Sequence, residues 1–303
     1  MSSYISQEAQ AILDGQWPRL PMMDFKNAEL VSPVKEAVNA GYKILSETAV
    51  HECTMEKDNI AGIDCAWINP QDASTDSLIL YIPGGGGIFG CPETHSSIAK
   101  AISYMTNYRL LSVDYPKAPE HTYPEPQNAI EAIYLNLVES NPSTPIYIVA
   151  DSFGASLAIN LILRVKAKGN KLPKAMALIC PFVDFNQEGD SYTSLCGIDP
   201  GWDDAEVIKA MTDAHIGSSS PSDPMLSVLK ADLSGFPATF IQSASRDLIL
   251  SDAIQLQRKM RSAGNKVDFD LWEGLWHDFQ AYQSIPEALS AMTIVAEFIK
   301  QQE

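Results

Sequence analysis

No apolar run in the sequence approaches the ~20 residues that cross a bilayer. Its opening stretch, MSSYISQEAQAILDG, lacks both the basic n-region and the apolar core of a secretory signal. The expectation is a cytoplasmic protein without membrane partners. Basic residues are scarce, with 21 Lys and Arg against 38 Asp and Glu, for a net charge of −17. That balance argues against nucleic acid and anionic membranes, which are polyanions. Cysteine is sparse as well. Cys53, Cys65, Cys91, Cys180 and Cys196 are odd in number, widely spaced and without a C-x-x-C pair, a pattern of reduced thiols rather than of a disulfide framework or a zinc site. Internal repeats and low-complexity tracts are missing too. What is present is 303 residues, 46% hydrophobic and 19% charged, enough for a sizeable core in one large α/β domain or two ordinary ones.

Residues 1–40 read as helical and polar, with apolar anchors at Trp17, Leu20, Met22, Met23 and Phe25. Two alternating stretches, Lys43–Met55 and Ile60–Ile68, flank the turn-like EKDN and predict a β-hairpin. From Leu78 onward, short apolar runs alternate with helical ones. Strands are expected at Leu78–Ile82, Leu110–Val113, Ile146–Ala150, Ala175–Cys180, Ala238–Ser243 and Val267–Trp272. Helices are expected at Ser96–Thr106, Gln127–Glu139, Phe153–Ala167, Asp252–Ala263 and Pro286–Lys300. That rhythm indicates a mostly parallel sheet covered on both faces. It breaks between Asp184 and Asp223, a Gly/Asp/Ser-rich stretch with one helical pattern near Ala205–His215. This reads as an insertion over the carboxyl edge of the sheet, where α/β proteins bind ligands.

The run PGGGGIFG at 83–90 follows an apolar strand and invites something to approach bare backbone. A phosphate-binding P-loop needs a lysine and a hydroxyl where Cys91 and Pro92 stand. A dinucleotide fingerprint is matched by Gly85, Gly87 and Gly90, with Asp114 at the distance of a ribose-binding acid. That fingerprint must open directly into a helix, however, and CPETH intervenes. The third reading, an oxyanion hole, requires a nucleophile elsewhere. IYIVADSFGAS supplies a strand, a tight turn at Ser152 and a helical run, the context of a G-x-S-x-G elbow with Ala150 for the first glycine. Ser152 alone reads equally well as a helix N-cap. Only His277, of His51, His95, His121, His215 and His277, lies in the C-terminal fifth. Asp247 follows the strand Ala238–Ser243, with Asp252 as the second choice inside the next helix. The order Ser, acid, His is that of α/β-hydrolases.

These residues resemble the bacterial hormone-sensitive-lipase-like esterases of the α/β-hydrolase fold. The likeness runs from Leu78 to Phe279 and includes PGGGGIFGCPETH, VDYPKAPEHTYPEPQNA, ADSFGAS, CPFVD, SDPMLSVL, FPATFIQSASRDLILSDA and WHDF. The block containing Asp114-Tyr115 and Ala118-Pro119-Glu120-His121 is specific to that family and accounts for Asp114 without a ribose. The resemblance implies an α/β-hydrolase catalytic domain over 41–303, with a helical cap formed by 1–40 and the insertion at 184–223. It implies Ser152 as nucleophile, His277 as base and acid, and Asp247 as orienting carboxylate. The oxyanion donors would be N–H groups of Gly84, Gly85 and Gly86, the last two foremost, with Phe153. His95, His121 and His215 become structural or surface residues. No metal or cofactor is implied. The reaction would be hydrolysis of short- to medium-chain acyl esters through an acyl-enzyme; amides, lactones and thioesters stay open. Family members often dimerise, so a homodimer is a further expectation. Two alternatives are a non-catalytic ligand-binding protein on the same scaffold and a dinucleotide-binding oxidoreductase. The sequence departs from the family at Pro83 (usually His), Gly87 (usually apolar), Ala150 and Ala155 (usually Gly), Phe153 (usually Ala) and Pro116-Lys117 (commonly Arg-Leu).

Overall fold

A computed structural model describes residues 4–15 and 19–302; Trp17, one of the expected anchors, lies outside them. Eight strands form one sheet in the order β1-β2-β4-β3-β5-β6-β7-β8. They are β1 Thr54–Ile60, β2 Ile63–Asn69, β3 Ser74–Ile82, β4 Tyr108–Val113, β5 Ile146–Asp151, β6 Ala175–Ile179, β7 Ala238–Ala244 and β8 Val267–Trp272. β1, β2 and β4 pair antiparallel, and every pair from β4–β3 to β7–β8 is parallel. The helices are α1 Gln7–Leu13, α2 Ala28–Ser46, α3 Ser96–Thr106, α4 Glu125–Ser140, α5 Phe153–Ala167, α6 Ser191–Ser194, α7 Ala205–Ile216, α8 Leu250–Ser262 and α9 Pro286–Lys300.

The period of two along each strand sorts side chains to the two faces. On β3 and β5, Leu78, Leu80, Ile82, Ile146, Ile148 and Ala150 face the layer of α4, α5 and α8. Ile79, Tyr81, Tyr147 and Val149 face that of α3 and α9. The stretches Leu78–Ile82 of β3 and Ile146–Ala150 of β5 are therefore continuously apolar, as strand segments covered on both sides must be.

The hairpin needs correction. Lys43–Ser46 end α2, and EKDN lies inside β1. The turn is Ala61-Gly62, both at positive φ (54° and 81°), the twist that joins two strands in a two-residue connection. β1 is an edge strand with mostly exposed residues, so its polar residues carry no alternation and imitate a loop. α2 also runs six residues past the expected cap boundary at residue 40. Asn27 caps its start by accepting from the N–H groups of Glu29 and Leu30.

The N-terminal segment divides between two places. α1 packs Ala9 among Trp276, Phe279 and Ile285. Phe25 and Val31, with partly buried Leu20, Met23, Val38 and Tyr42, instead join Val207, Met211 and Trp202 of the insertion above Ile88 and Phe89. Met22, expected as an anchor, is exposed.

Candidate active site

β5 ends at Asp151 and α5 begins at Phe153, leaving Ser152 alone in the turn at φ 50°, ψ −122°. A non-glycine residue in that region is strained. The turn is held by the Ser152 N–H donating to the Ile179 carbonyl (2.9 Å) and by the Ser152 carbonyl accepting from Phe182 (3.0 Å). Gly154 must lack a side chain, because a Cβ there would collide with the Ile82 carbonyl. The Ser152 side chain makes no N-cap hydrogen bond, so the cap reading of this serine is not what the turn serves. Its Oγ lies 2.9 Å from His277 Nε2, and His277 Nδ1 lies 3.0 Å from Asp247 Oδ1. Asp247 Oδ1 also accepts from the Ile249 N–H, fixing the carboxylate at the end of β7.

Asp252, the alternative acid, is engaged elsewhere. Its Oδ2 accepts from Val183 (2.8 Å) and Asp184 (2.9 Å), tying the loop after β6 to α8. The other histidines are dispersed. His51 stacks on Tyr104, and His121 sits exposed beside Glu125. His95 reaches toward Asp151 (3.6 Å). His215 is buried under the Phe153 ring, and burial pushes its pKa down to about 3.

The glycine loop faces Ser152, with one correction. The Gly84 N–H donates to Asp151 Oδ2 at 3.0 Å and is not free for a ligand. A carboxylate directly before the serine captures it, and Tyr81 Oη holds the other oxygen of that carboxylate at 2.5 Å. Among the described residues no acceptor engages the N–H of Gly85, Gly86 or Phe153. Gly85 and Gly86 have φ of 98° and 63°, values open to glycine and costly for other residues. Tyr115 Oη steadies this loop by donating to the carbonyls of Pro83 (2.9 Å) and Gly84 (3.1 Å).

The dinucleotide alternative does not survive this geometry. α3 begins only at Ser96, so no helix N-terminus follows Gly90 directly. Asp114 is paired with Lys117 Nζ at 2.6 Å.

Two acidic residues that the sequence reading passed over touch His277. Asp199, from the 184–223 insertion, accepts the His277 N–H at 2.7 Å through Oδ2 and the Gly201 and Trp202 N–H groups through Oδ1. Burial raises its pKa to about 6. Asp278 places Oδ2 3.2 Å from His277 Nε2. Burial pulls the imidazole pKa down, but the Asp247 and Asp278 carboxylates outweigh it, and the net direction is well above the ordinary 6.5. Adjacency to His277 was the only signal in the sequence for Asp278, and Asp199 offered none.

Residues 79–281 match the family profile described as alpha/beta hydrolase fold. The chain belongs to that family. This hydrolase is 34% identical over 250 residues to an esterase of Acinetobacter venetianus, covering 79% of each chain. It is 28% identical over 238 residues to an acetyl-hydrolase of Streptomyces hygroscopicus, covering 77% of this chain and 78% of the relative. Among solved structures, an esterase from the bacterial hormone-sensitive lipase family superposes with a TM-score of 0.88 at 25% identity, over 100% of this chain and 99% of the other. A hormone-sensitive lipase from a metagenome library gives 0.83 at 26%, over 94% and 100%. The hydrolase is a carboxylic ester hydrolase of this hormone-sensitive-lipase-like group. No helix among the described residues is long and apolar enough to cross a membrane.

Proposed function

We propose that the enzyme hydrolyses short- to medium-chain acyl esters with Ser152 as nucleophile, His277 as general base and acid, and Asp247 as orienting carboxylate. The observation that carries the reading is the unbroken line from Ser152 Oγ to His277 Nε2 (2.9 Å) and from His277 Nδ1 to Asp247 Oδ1 (3.0 Å). His277 takes the serine proton as Oγ attacks the ester carbonyl, and Asp247 stabilises the imidazolium that forms. The N–H groups of Gly85, Gly86 and Phe153 receive the oxyanion. Each such donor is worth roughly 2.7–4 kcal/mol of barrier. His277 then returns its proton to the leaving alcohol, and water repeats the sequence on the acyl-enzyme.

Residues 19–46 and 184–223 serve as the cap, meeting in one apolar cluster over the glycine loop. The cavity at Ser152 is small, about 30 Å³, and is roofed by Trp202, Ile208 and Met211. A Cβ on Gly86 would run into the Met211 methyl. That tight roof favours the short end of the acyl range. Relatives named esterase and acetyl-hydrolase agree with such a substrate.

Labelling with a fluorophosphonate probe, followed by peptide mapping and a p-nitrophenyl ester series, tests the assignment. The expected result is modification at Ser152 and loss of turnover by at least about 10³-fold in Ser152→Ala. An unlabelled Ser152, or an alanine variant with full turnover, would overturn it.

A further inference from the structure

The nitrogen that takes the serine proton has two neighbours. Ser152 Oγ stands at 2.9 Å from His277 Nε2 and Asp278 Oδ2 at 3.2 Å. Asp278 is held there by its backbone. It adopts the left-handed conformation (φ 51°, ψ 35°), its N–H donates to Cys180 Sγ (3.4 Å), and the chain turns into the short helical turn Phe279–Ala281. Its other oxygen, Oδ1, is buried with no hydrogen-bond partner among the described residues. The carboxylate's polar engagement is thus with the imidazole. His277 lies between two carboxylates, Asp247 at Nδ1 and Asp278 at Nε2.

We propose that Asp278 is a second carboxylate of the catalytic centre that ion-pairs with the His277 imidazolium beside Nε2 and thereby sets the pH at which the base becomes available to Ser152. This rests on the assignment of Ser152 and His277 made above. While the imidazolium keeps its Nε2 proton, Nε2 is a donor and cannot accept from the serine hydroxyl, and an ionised Asp278 beside it holds that proton in place. Only its loss leaves the Nε2 lone pair for Ser152, so the acid limb of the activity profile belongs to the His277–Asp278 pair.

The same carboxylate assists once the reaction starts. As the serine proton arrives at Nε2, an ionised Asp278 stabilises the imidazolium, and the Nε2–H must then leave it for the alcohol oxygen. The remaining titratable groups around the pair do not substitute for it. Asp247 is committed to Nδ1 and Asp199 to the His277 backbone. Asp151 is taken by Tyr81 and Gly84. Burial keeps Tyr42, Tyr282 and Cys180 protonated. Burial likewise raises the Asp278 pKa, against the opposing pull of His277.

The test compares kcat and kcat/KM from pH 5 to 10 on p-nitrophenyl acetate for the wild type, Asp278→Gly and Asp278→Asn, with Ser152→Ala as control. Both substitutions suit a left-handed backbone position. The expected result is an acid limb displaced to lower pH, with kcat/KM at pH 6 relative to pH 9 rising on the order of tenfold, as for removal of a charge within ~4–6 Å. Turnover on the alkaline plateau should fall at the same time. Titration of the His277 imidazolium proton by NMR in Ser152→Ala and in Ser152→Ala with Asp278→Gly should show the same displacement without turnover. Superimposable profiles and titrations, in protein whose Ser152→Ala form is inactive, would overturn the role of Asp278 alone. An active Ser152→Ala would instead overturn the underlying assignment.

Discussion

Two of the departures at the glycine loop turn out to be one. The resemblance sets an apolar residue where Gly87 stands and an alanine where Phe153 stands. A Cβ on Gly87 would lie 2.9 Å from the Phe153 ring and 3.2 Å from His215 Nδ1. The phenyl group therefore fills the space a loop side chain would otherwise take, against Phe182, Phe185 and His215. Both residues were visible in the sequence as oddities, but their compensation was not, because they lie 66 positions apart and meet only across the turn of β3 and α5. Gly87→Ala should lower the urea midpoint and turnover for two reasons, the crowding and the positive φ of 73°. In a Phe153→Ala background the crowding against the ring disappears, while the contact with His215 and the backbone part remain. A double-mutant cycle should give a coupling of roughly 0.5–3 kcal/mol. A coupling near zero would mean that the two positions are independent.

At the scale of elements, most of the sheet and its helices were readable, because parallel strands buried on both faces appear as short continuous apolar runs. The proposed triad residues were readable because each follows an expected strand, Ser152 after β5, Asp247 after β7 and His277 after the alternating edge strand β8. The edge was not. β1 owes its pairing to β2 rather than to its own pattern, so its polar residues mimicked a turn. Contacts made by the 184–223 insertion were equally silent. Asp199 accepts the His277 N–H across a gap of 78 residues, besides the neighbouring N–H groups of Gly201 and Trp202, and no local signal foretells such a reach. Asp199→Ala should remove an acceptor worth roughly 1.5–3 kcal/mol for a charged hydrogen bond, about ten- to a hundredfold in kcat/KM. If Asp199 positions the His277 loop, kcat should fall more than KM rises, with thermal stability only modestly reduced. A loss confined to KM would place its effect on Trp202 and the roof of the cavity instead.

For the whole molecule, buried groups with displaced pKa values set opposing responses to acid, His215, Asp199 and Asp278 among them. His215 has a folded pKa of about 3 against an ordinary 6.5. The unfolded chain therefore takes up that proton first. Its contribution to stability is complete above pH 6.5 and is lost as pH falls toward 3, at up to about 1.4 kcal/mol per pH unit. Asp199, raised to about 6, and Asp278, also raised, act the other way. Their folded forms hold protons that the unfolded chain has released, so their contribution is present at low pH and is lost as pH rises through their folded pKa values. The two tendencies offset each other in the wild type across the mildly acidic range. His215→Gln should unmask the difference. Its stability relative to the wild type should improve progressively from pH 7 to pH 4 in urea unfolding, even though it starts lower at pH 7 through lost packing against Phe153. A constant difference across that range would show that His215 titrates normally.

The hydrogen bond from the His277 backbone to Asp199 also bears on how this enzyme can be taken apart and recombined. The proposed cap is an accessory laid over the sheet and its helices, something a chimera could exchange for that of a relative with a roomier roof. Here Asp199 of that segment holds the backbone of His277, the proposed general base. A graft that replaced residues 184–223 without delivering a carboxylate to this N–H would change the acyl range and loosen the histidine in one step, so pocket shape and catalytic competence are inherited as a single unit.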